Sequence, residues 1–271
     1  MNKFDLSGKV AVVTGGSGTL GSGMAKGLLD AGAQVCIIGR DLAKAQQVLQ
    51  RLSSDNEKTM ALSADVTHLE HVEKAAEAVL MRWGRVDILL NAAGGNRPDA
   101  ITNSKQSFFD LSPEAVQAVF QLNLSGTIIP SQVFGRSMAQ AKTGNIINIS
   151  SMAASRPLTR VVSYAAAKAA VENFTRWLAV YMAREYSTAI RVNAIAPGFF
   201  LAEQNRAMLI DIATGELTPR GRTIIDHTPM NRFGDAADLV GTLVWLASDA
   251  SEFVTGIVVP VDGGFSAFGG V

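Results

Sequence analysis

The chain has 271 residues, 48% of them hydrophobic, which is enough for a single domain with a substantial core. Lys and Arg number 24, as do Asp and Glu, and a zero net charge gives no basic footprint for nucleic acid. One cysteine excludes an internal disulfide, and neither a signal-peptide core nor an apolar run of about 18 residues is present, so a soluble cytoplasmic protein acting on a small molecule is expected.

Residues 10–13 form a short β-branched run that reads as a strand buried on both faces. Directly after it, Gly16, Gly18 and Gly21 satisfy G-x-G-x-x-G ahead of a helix beginning near Leu20. Glycine lets a backbone approach a pyrophosphate, and a helix N-terminus offers free N–H groups and a positive dipole end. Gly15, Ser17, Gly18, Thr19, Leu20 and Gly21 are therefore the expected phosphate contacts. The next strand, 34–38, contains Cys36, read as a buried structural residue, and ends in Gly39-Arg40-Asp41. An acid at the strand end would bond a ribose 2′-hydroxyl, which Gly39 cannot do, whereas the Arg40 guanidinium suits a 2′-phosphate. NADP is thus expected in preference to NAD. Asp41 either caps the following helix or contacts a ribose itself.

A helix over 42–51 and a strand over 59–64 lead to Asp65 and Val66, where Asp65 meets an adenine amino group or caps the helix 68–83. His68 and His71 belong to a solvated face of that helix rather than to a metal site. The strand 86–90 runs into Asn91-Ala92-Ala93-Gly94-Gly95, small residues that admit a flat cofactor ring. Strand and helix alternate throughout, which predicts an α/β fold: a Rossmann-type, doubly wound parallel sheet of about seven strands with helices on both faces, all in one domain spanning 1–271.

The segment 96–111, starting at Asn96, is longer and more polar than a connection requires and reads as a substrate-facing loop or an insertion. A helix follows from Pro113, then Asn123 in an apolar setting, either structural or holding a water for proton relay. The strand 146–149 delivers Ser151 to a sheet's carboxyl end, the ligand-binding edge of open α/β sheets. Tyr164 and Lys168 lie one helical turn apart on one face. A neighbouring cation favours the phenolate, which makes Tyr164 a general acid or base near neutral pH. Their helix, continuing to about Arg184, is apolar on most sides and is expected in a core or partly against another subunit. After the strand 191–195 come Pro197-Gly198 and a polar lid, about 199–233, carrying Gln204, Asn205, Arg206, Arg220, Arg222 and His227. A helix over 236–248, a strand over 257–261 and Asp262-Gly263-Gly264 complete the chain.

The glycine turn 14–21, Asp65, Asn91-Ala92-Ala93-Gly94, Asn123, Ser151, Tyr164-x-x-x-Lys168, Pro197-Gly198 and Asp262-Gly263-Gly264 together resemble the short-chain dehydrogenase/reductase family along nearly the whole chain. The resemblance implies that Tyr164 is the acid/base and that Ser151 polarises the substrate carbonyl. Lys168 would bind the nicotinamide ribose and lower the Tyr164 pKa, with Asn123 holding a water in the relay. Two positions depart from the family pattern: Thr19 stands where glycine is usual, and Ala202 where a threonine often contacts the cofactor.

Pro197-Gly198-Phe199-Phe200 with Gln204-Asn205-Arg206, His227-Thr228-Pro229-Met230 and the ending 259–268 resemble, more narrowly, the D-mannonate oxidoreductase (fructuronate reductase) and gluconate 5-dehydrogenase branch. That resemblance implies hydride transfer between NAD(P) and a keto or hydroxy sugar acid. Asn96, Ser151, Tyr164, Asn205 and Arg206 are then the candidate substrate contacts, with Arg206, Arg220 or Arg222 as the cation for the carboxylate. A homotetramer is expected because relatives form one. Two alternatives stand beside this reading: a 3-oxoacyl-thioester reductase, and a non-catalytic nucleotide-binding regulatory protein.

Overall fold

The β-branched runs all become strands, and the computed structural model, which describes residues 2–203 and 205–270, assembles them into one sheet. Gln204 of the expected lid lies outside the described residues. The strands are β1 (Val10–Thr14), β2 (Gln34–Gly39), β3 (Thr59–Ser63), β4 (Ile88–Asn91), β5 (Gly144–Ile149), β6 (Ile190–Pro197) and β7 (Val258–Val261). All pair in parallel, in the order β3-β2-β1-β4-β5-β6-β7. A parallel sheet needs crossovers that cover both faces, so its central strands carry apolar residues continuously rather than alternately. In β1, every residue is buried.

The helices are α1 (Thr19–Asp30), α2 (Leu42–Leu52), α3 (Leu69–Trp83), α4 (Pro113–Phe120), α5 (Gly126–Ala141), α6 (Val162–Glu185), α7 (Arg206–Leu209), α8 (Pro219–Asp226) and α9 (Val240–Ala247). Ala11 and Val13 face a layer containing Met24 and Leu28 of α1, Val48 of α2 and Leu243 and Leu246 of α9. Val10 and Val12 face the other layer, with Val79 of α3, Phe134 and Met138 of α5 and Met182 of α6. Each large side chain buried in this way contributes about 1.5–3 kcal/mol. The outer face of α6 is different: Trp177, Val180 and Tyr181 are exposed.

The segment 96–111, expected as a substrate-facing loop or an insertion, has 3₁₀ turns at Pro98–Ala100 and Phe108–Asp110, and Ala100 is buried against Ala115 and Val119. The expected helix 236–248 is split into a 3₁₀ turn, Ala236–Leu239, and α9, because Asp235 and Asp238 form a capping box that tightens its start.

Strand order reverses between β1, which leads outward to β2, and β4, which leads to β5. Open α/β sheets form a crevice at this switch point, outside the strands' carboxyl ends. The glycine turn after β1 and the small residues after β4 are the two walls of that crevice.

Candidate active site

An open cleft of about 490 Å³ lies there, lined by the loops after β1, β2, β3, β4, β5 and β6. Gly15 turns the chain with φ of +66°, in the left-handed region, and sits so close to the loop after β4 that a Cβ would lie 2.7 Å from Ala93 backbone atoms. At Gly21 a Cβ would overlap the Gly15 carbonyl oxygen, so the third glycine lets α1 start directly under the turn. Gly18 is the N-cap of α1 and provides no side chain to cap it. Unsatisfied N–H groups and the positive end of the dipole therefore face the cleft, an arrangement that fits a pyrophosphate. Ser17, Thr19 and Leu20 line this part, with Thr19 as the first residue of α1.

At the next strand end, a Cβ on Gly39 would lie 2.7 Å from Ser17 Oγ, and with glycine there no acidic side chain is present to read a 2′-hydroxyl. Arg40 is exposed at the cleft. Asp41 resolves as the N-cap of α2, accepting from the Lys44 N–H at 3.0 Å. Lys44 also lines the cleft and stands 4.0 Å from Glu203 of the lid. It went unnoticed in the sequence, although a cation in a helix's first turn opposes the dipole and is a usable signal. Asp65 does not cap α3, whose N-cap is His68; it accepts from Thr67 N at 2.9 Å and Thr67 Oγ1 at 2.7 Å. Partial burial raises its pKa, but those bonds, with His68 and Arg40 nearby, outweigh it and hold the carboxyl below its usual range. Asp65 stays an anion beside Val66 where the segment after β3 lines the cleft.

Ala92, Ala93 and Gly94 line the opposite wall, but Asn91 does not. Its amide is turned under the sheet, donating to Ser131 Oγ at 3.0 Å and Asn148 Oδ1 at 2.9 Å, so its side chain does not face the cleft. Asn123 lies in a single π-helical turn, Gln121–Ser125, between α4 and α5, fully buried. It donates to the Gly95 and Val119 carbonyls at 2.7 and 2.8 Å and accepts from the Gly95 N–H at 3.1 Å. Both amide hydrogens are thus spent on backbone, and the side chain pins the turn after β4.

Ser151, at the end of β5, and Tyr164 and Lys168, on α6, converge at the cleft. Ser151 Oγ accepts from the Ala153 N–H at 3.2 Å and stands beside the Tyr164 phenol. Lys168 is buried, and its ammonium donates to the Ile149 carbonyl at 2.7 Å. A Cβ on Gly94 would lie 2.8 Å from Asn123 Oδ1 and 3.1 Å from Lys168 Nζ, which places these groups around one point.

The expected lowering of the Tyr164 pKa needs correction. Burial raises it, and the hydrogen bond from Ser151 offsets only part of that. Lys168 is held by Ile149 with its Nζ 5.6 Å from the phenol ring centroid, and burial lowers its own pKa from 10.5 to about 8. Two ionisable groups in one dry pocket both move toward neutrality, so at neutral pH the tyrosine is a phenol and the lysine an ammonium that readily loses its proton.

Pro197 and Gly198 complete the cleft at the end of β6, followed by Phe199, Phe200, Ala202 and Asn205 from the start of the lid. Asn205 spends its amide locally, accepting from the Ala202 N–H at 2.9 Å and donating to the Phe200 carbonyl at 2.8 Å. Asn96 accepts only from the neighbouring Arg97 N–H, and both Asn96 and Arg206 are exposed and outside the cleft. Of the expected substrate contacts, then, Ser151 and Tyr164 are brought together and Asn96 and Arg206 are not. The Cys36 thiol is buried in the core, and burial raises its pKa. Among the described residues, no group of His, Cys, Asp and Glu is arranged to hold a metal, and no helix is long and apolar enough to cross a membrane.

The family described as short chain dehydrogenase matches residues 9–211. Over 98% of each chain, the protein is 48% identical to an uncharacterised oxidoreductase of Bacillus subtilis. It is 36% identical to a 2-dehydro-3-deoxy-D-gluconate 5-dehydrogenase of Dickeya dadantii over 98% of this chain and 99% of that one. A solved structure named for a D-mannonate oxidoreductase from Haemophilus influenza, with bound NAD, superposes with a TM-score of 0.91 at 40% identity, covering 98% of both chains. The gluconate 5-dehydrogenase of Burkholderia cenocepacia, in complex with NADP and tartrate, gives 0.86 at 32% identity, again over 98% of both chains.

Proposed function

Since the chain belongs to the short-chain dehydrogenase family and is an NAD(P)-dependent oxidoreductase acting on a CH–OH group, we propose that its substrate is a keto or hydroxy sugar acid and its preferred cofactor NADP. One observation carries the reaction: a serine hydroxyl, a phenol and a buried ammonium converge on one wall of a glycine-lined cleft. When bound, the dinucleotide supplies or accepts the hydride. The glycine turn and the uncapped start of α1 take its phosphates, and Arg40 with Lys44 takes a 2′-phosphate.

Ser151 donates a hydrogen bond to the substrate oxygen and steadies the negative charge that develops there. Tyr164 Oη gives its proton to that oxygen in the reducing direction, for which a phenol kept protonated by burial is the competent species. Lys168 holds the ribose and presents a positive charge to the phenolate left behind. Asn123 fixes the turn beneath both groups, and its role in a water relay belongs to the same proposal. The lid, 199–233, covers the substrate. The proposal extends to a cytoplasmic homotetramer in which a second copy covers Trp177 and Val180, which are exposed on α6.

The test is a panel of initial rates with NADPH and with NADH against fructuronate, 5-ketogluconate, a keto acid derived from an unsaturated uronate, and an acetoacetyl thioester. Rapid oxidation of NADPH with one keto sugar acid is expected, and turnover of the thioester alone would sink the sugar-acid reading. Tyr164→Phe is expected to keep NADPH affinity and lose about 10²–10⁴-fold in turnover. An unchanged rate would remove the tyrosine from the reaction, and cofactor binding with no turnover of any substrate by the wild type would favour the regulatory reading.

A further inference from the structure

Helix α6 buries Ala167, Val171, Leu178, Ala179 and Met182, and in the midst of these apolar residues stands a carboxylate, Glu172, only 9% exposed. Burying an anion costs solvation, and an apolar side chain of similar volume would serve the fold as well or better. The cation paired with it, Arg176, is exposed and reaches Glu172 Oε2 at 3.3 Å, so it offsets little of that cost. The other oxygen is used inside the protein, where Glu172 Oε1 accepts from Ser150 Oγ at 3.0 Å. The Lys168 carbonyl, at 3.4 Å, is the weaker of the two acceptors for that hydroxyl.

Ser150 is buried, lines the cleft next to Ser151, and donates its backbone N–H to the Ile195 carbonyl of β6 at 2.8 Å. It is thus tied to β6 through its backbone and to α6 through its side chain. One residue earlier, the Ile149 carbonyl accepts from Lys168 Nζ at 2.7 Å. Lys168 and Glu172 lie four residues apart on one face of α6, and together they grip two consecutive residues at the end of β5. Ser151 comes next, past the last strand residue, as the N-cap of the 3₁₀ turn Met152–Ala154. Its Oγ accepts from the Ala153 N–H, which leaves the hydroxyl hydrogen for a substrate oxygen. The position of that hydroxyl depends on the anchors of its neighbours as well as on the sheet, and a displacement of about 1 Å can cost about 100-fold in rate.

We propose that Glu172 is a positioning residue for the reaction: through Ser150 it holds the turn that presents Ser151 to the substrate oxygen beside Tyr164. The proposal rests on the role given to Ser151 above and adds to it the group that aims its hydroxyl. Glu172 does not line the cleft and takes no part in proton transfer.

The test is a double-mutant cycle in the whole enzyme, with the fastest substrate of the panel and the preferred cofactor. Glu172→Leu removes the acceptor and Ser150→Ala the donor; each is expected to lower kcat about 10–100-fold, with KM and the cofactor dissociation constant, read by fluorescence titration, changing less than about threefold. Glu172→Gln keeps an oxygen for Ser150 and should hold kcat within about threefold of wild type. Arg176→Met, which breaks only the exposed pair, should stay within about twofold. In a Ser151→Ala background, Glu172→Leu should slow the enzyme by no more than about a further twofold, because nothing is left to position. The cycle is run with Ser150→Ala as well, which carries the test if a buried leucine disturbs folding. Losses that multiply in the double variants, or a Gln variant as slow as the Leu variant, would show a general structural role and overturn the proposal. Wild-type kcat in both Glu172→Leu and Ser150→Ala, beside a slow Ser151→Ala, would overturn the positioning alone. A Ser151→Ala enzyme as fast as wild type would overturn the role of Ser151 and the positioning with it.

Discussion

Lys168 is the residue at which function and stability pull in opposite directions. Its ammonium is 3% exposed and has one hydrogen bond, to the Ile149 carbonyl at 2.7 Å. The fall in its pKa from 10.5 to about 8 means that the folded protein holds this proton ~3 kcal/mol less tightly than the unfolded chain does. A folded-state pKa below the unfolded one costs stability at every pH where the unfolded lysine is charged. The full cost applies below about pH 8 and is progressively relieved between about pH 8 and 10.5, where the unfolded chain binds more protons. Lys168→Met removes the charge and keeps the length, but strands the Ile149 carbonyl at a cost of about 1–3 kcal/mol. Without cofactor the variant should therefore be more stable than wild type at pH 7 by roughly 0.5–2 kcal/mol. Its advantage should shrink by about 2 kcal/mol at pH 9.5, since wild type gains there and the variant does not. Urea unfolding of both proteins at the two pH values measures this, and the other titrating groups cancel in the difference. A variant clearly less stable at pH 7, with no convergence toward high pH, would refute the argument that the buried ammonium is under strain.

The remaining predictions concern the dinucleotide. Gly21→Ala forces its Cβ onto the Gly15 carbonyl and must displace the start of α1; the expected result is at least a tenfold weaker binding of both NADPH and NADH in a fluorescence titration, with intact far-UV circular dichroism. Arg40→Ala should weaken NADPH by about 10–100-fold and NADH little, as loss of a charge-assisted contact to a 2′-phosphate requires, and equal losses would sink the preference for NADP. Glu203→Gln frees Lys44 from its exposed pair at 4.0 Å, so NADPH should bind modestly tighter, up to about fivefold, and NADH unchanged. A matching gain for NADH would remove Lys44 from the 2′-phosphate site.

The side chains the sequence misplaced show where local pattern stops being informative. Asn91 was expected in the cleft, yet strand alternation already puts it on the face of Leu89, which packs in the layer under the sheet with α3, α5 and α6. The motif drew attention to the residue type, while the period of two held the direction. Asn96 lies in a loop and Arg206 opens the one-turn α7, segments with no sustained period to reveal which way a side chain points. Lys44 could have been found by asking why a cation occupies the first turn of α2.

By itself the sequence determined the architecture and the reacting groups. Runs of buried strand alternating with helices allow one parallel sheet, which brings Ser151, the glycine turn and the Tyr164–Lys168 pair to a common edge. These are local properties, of period, turn chemistry and helical spacing, and they are present in any short window of the chain. Tertiary structure decided the electrostatics: whether Tyr164 is a phenol or a phenolate, how tightly Lys168 keeps its proton, and which lid arginine is partly buried. The reason is that desolvation and charge pairing depend on every group within a few ångströms, and those neighbours come from segments far apart in the chain.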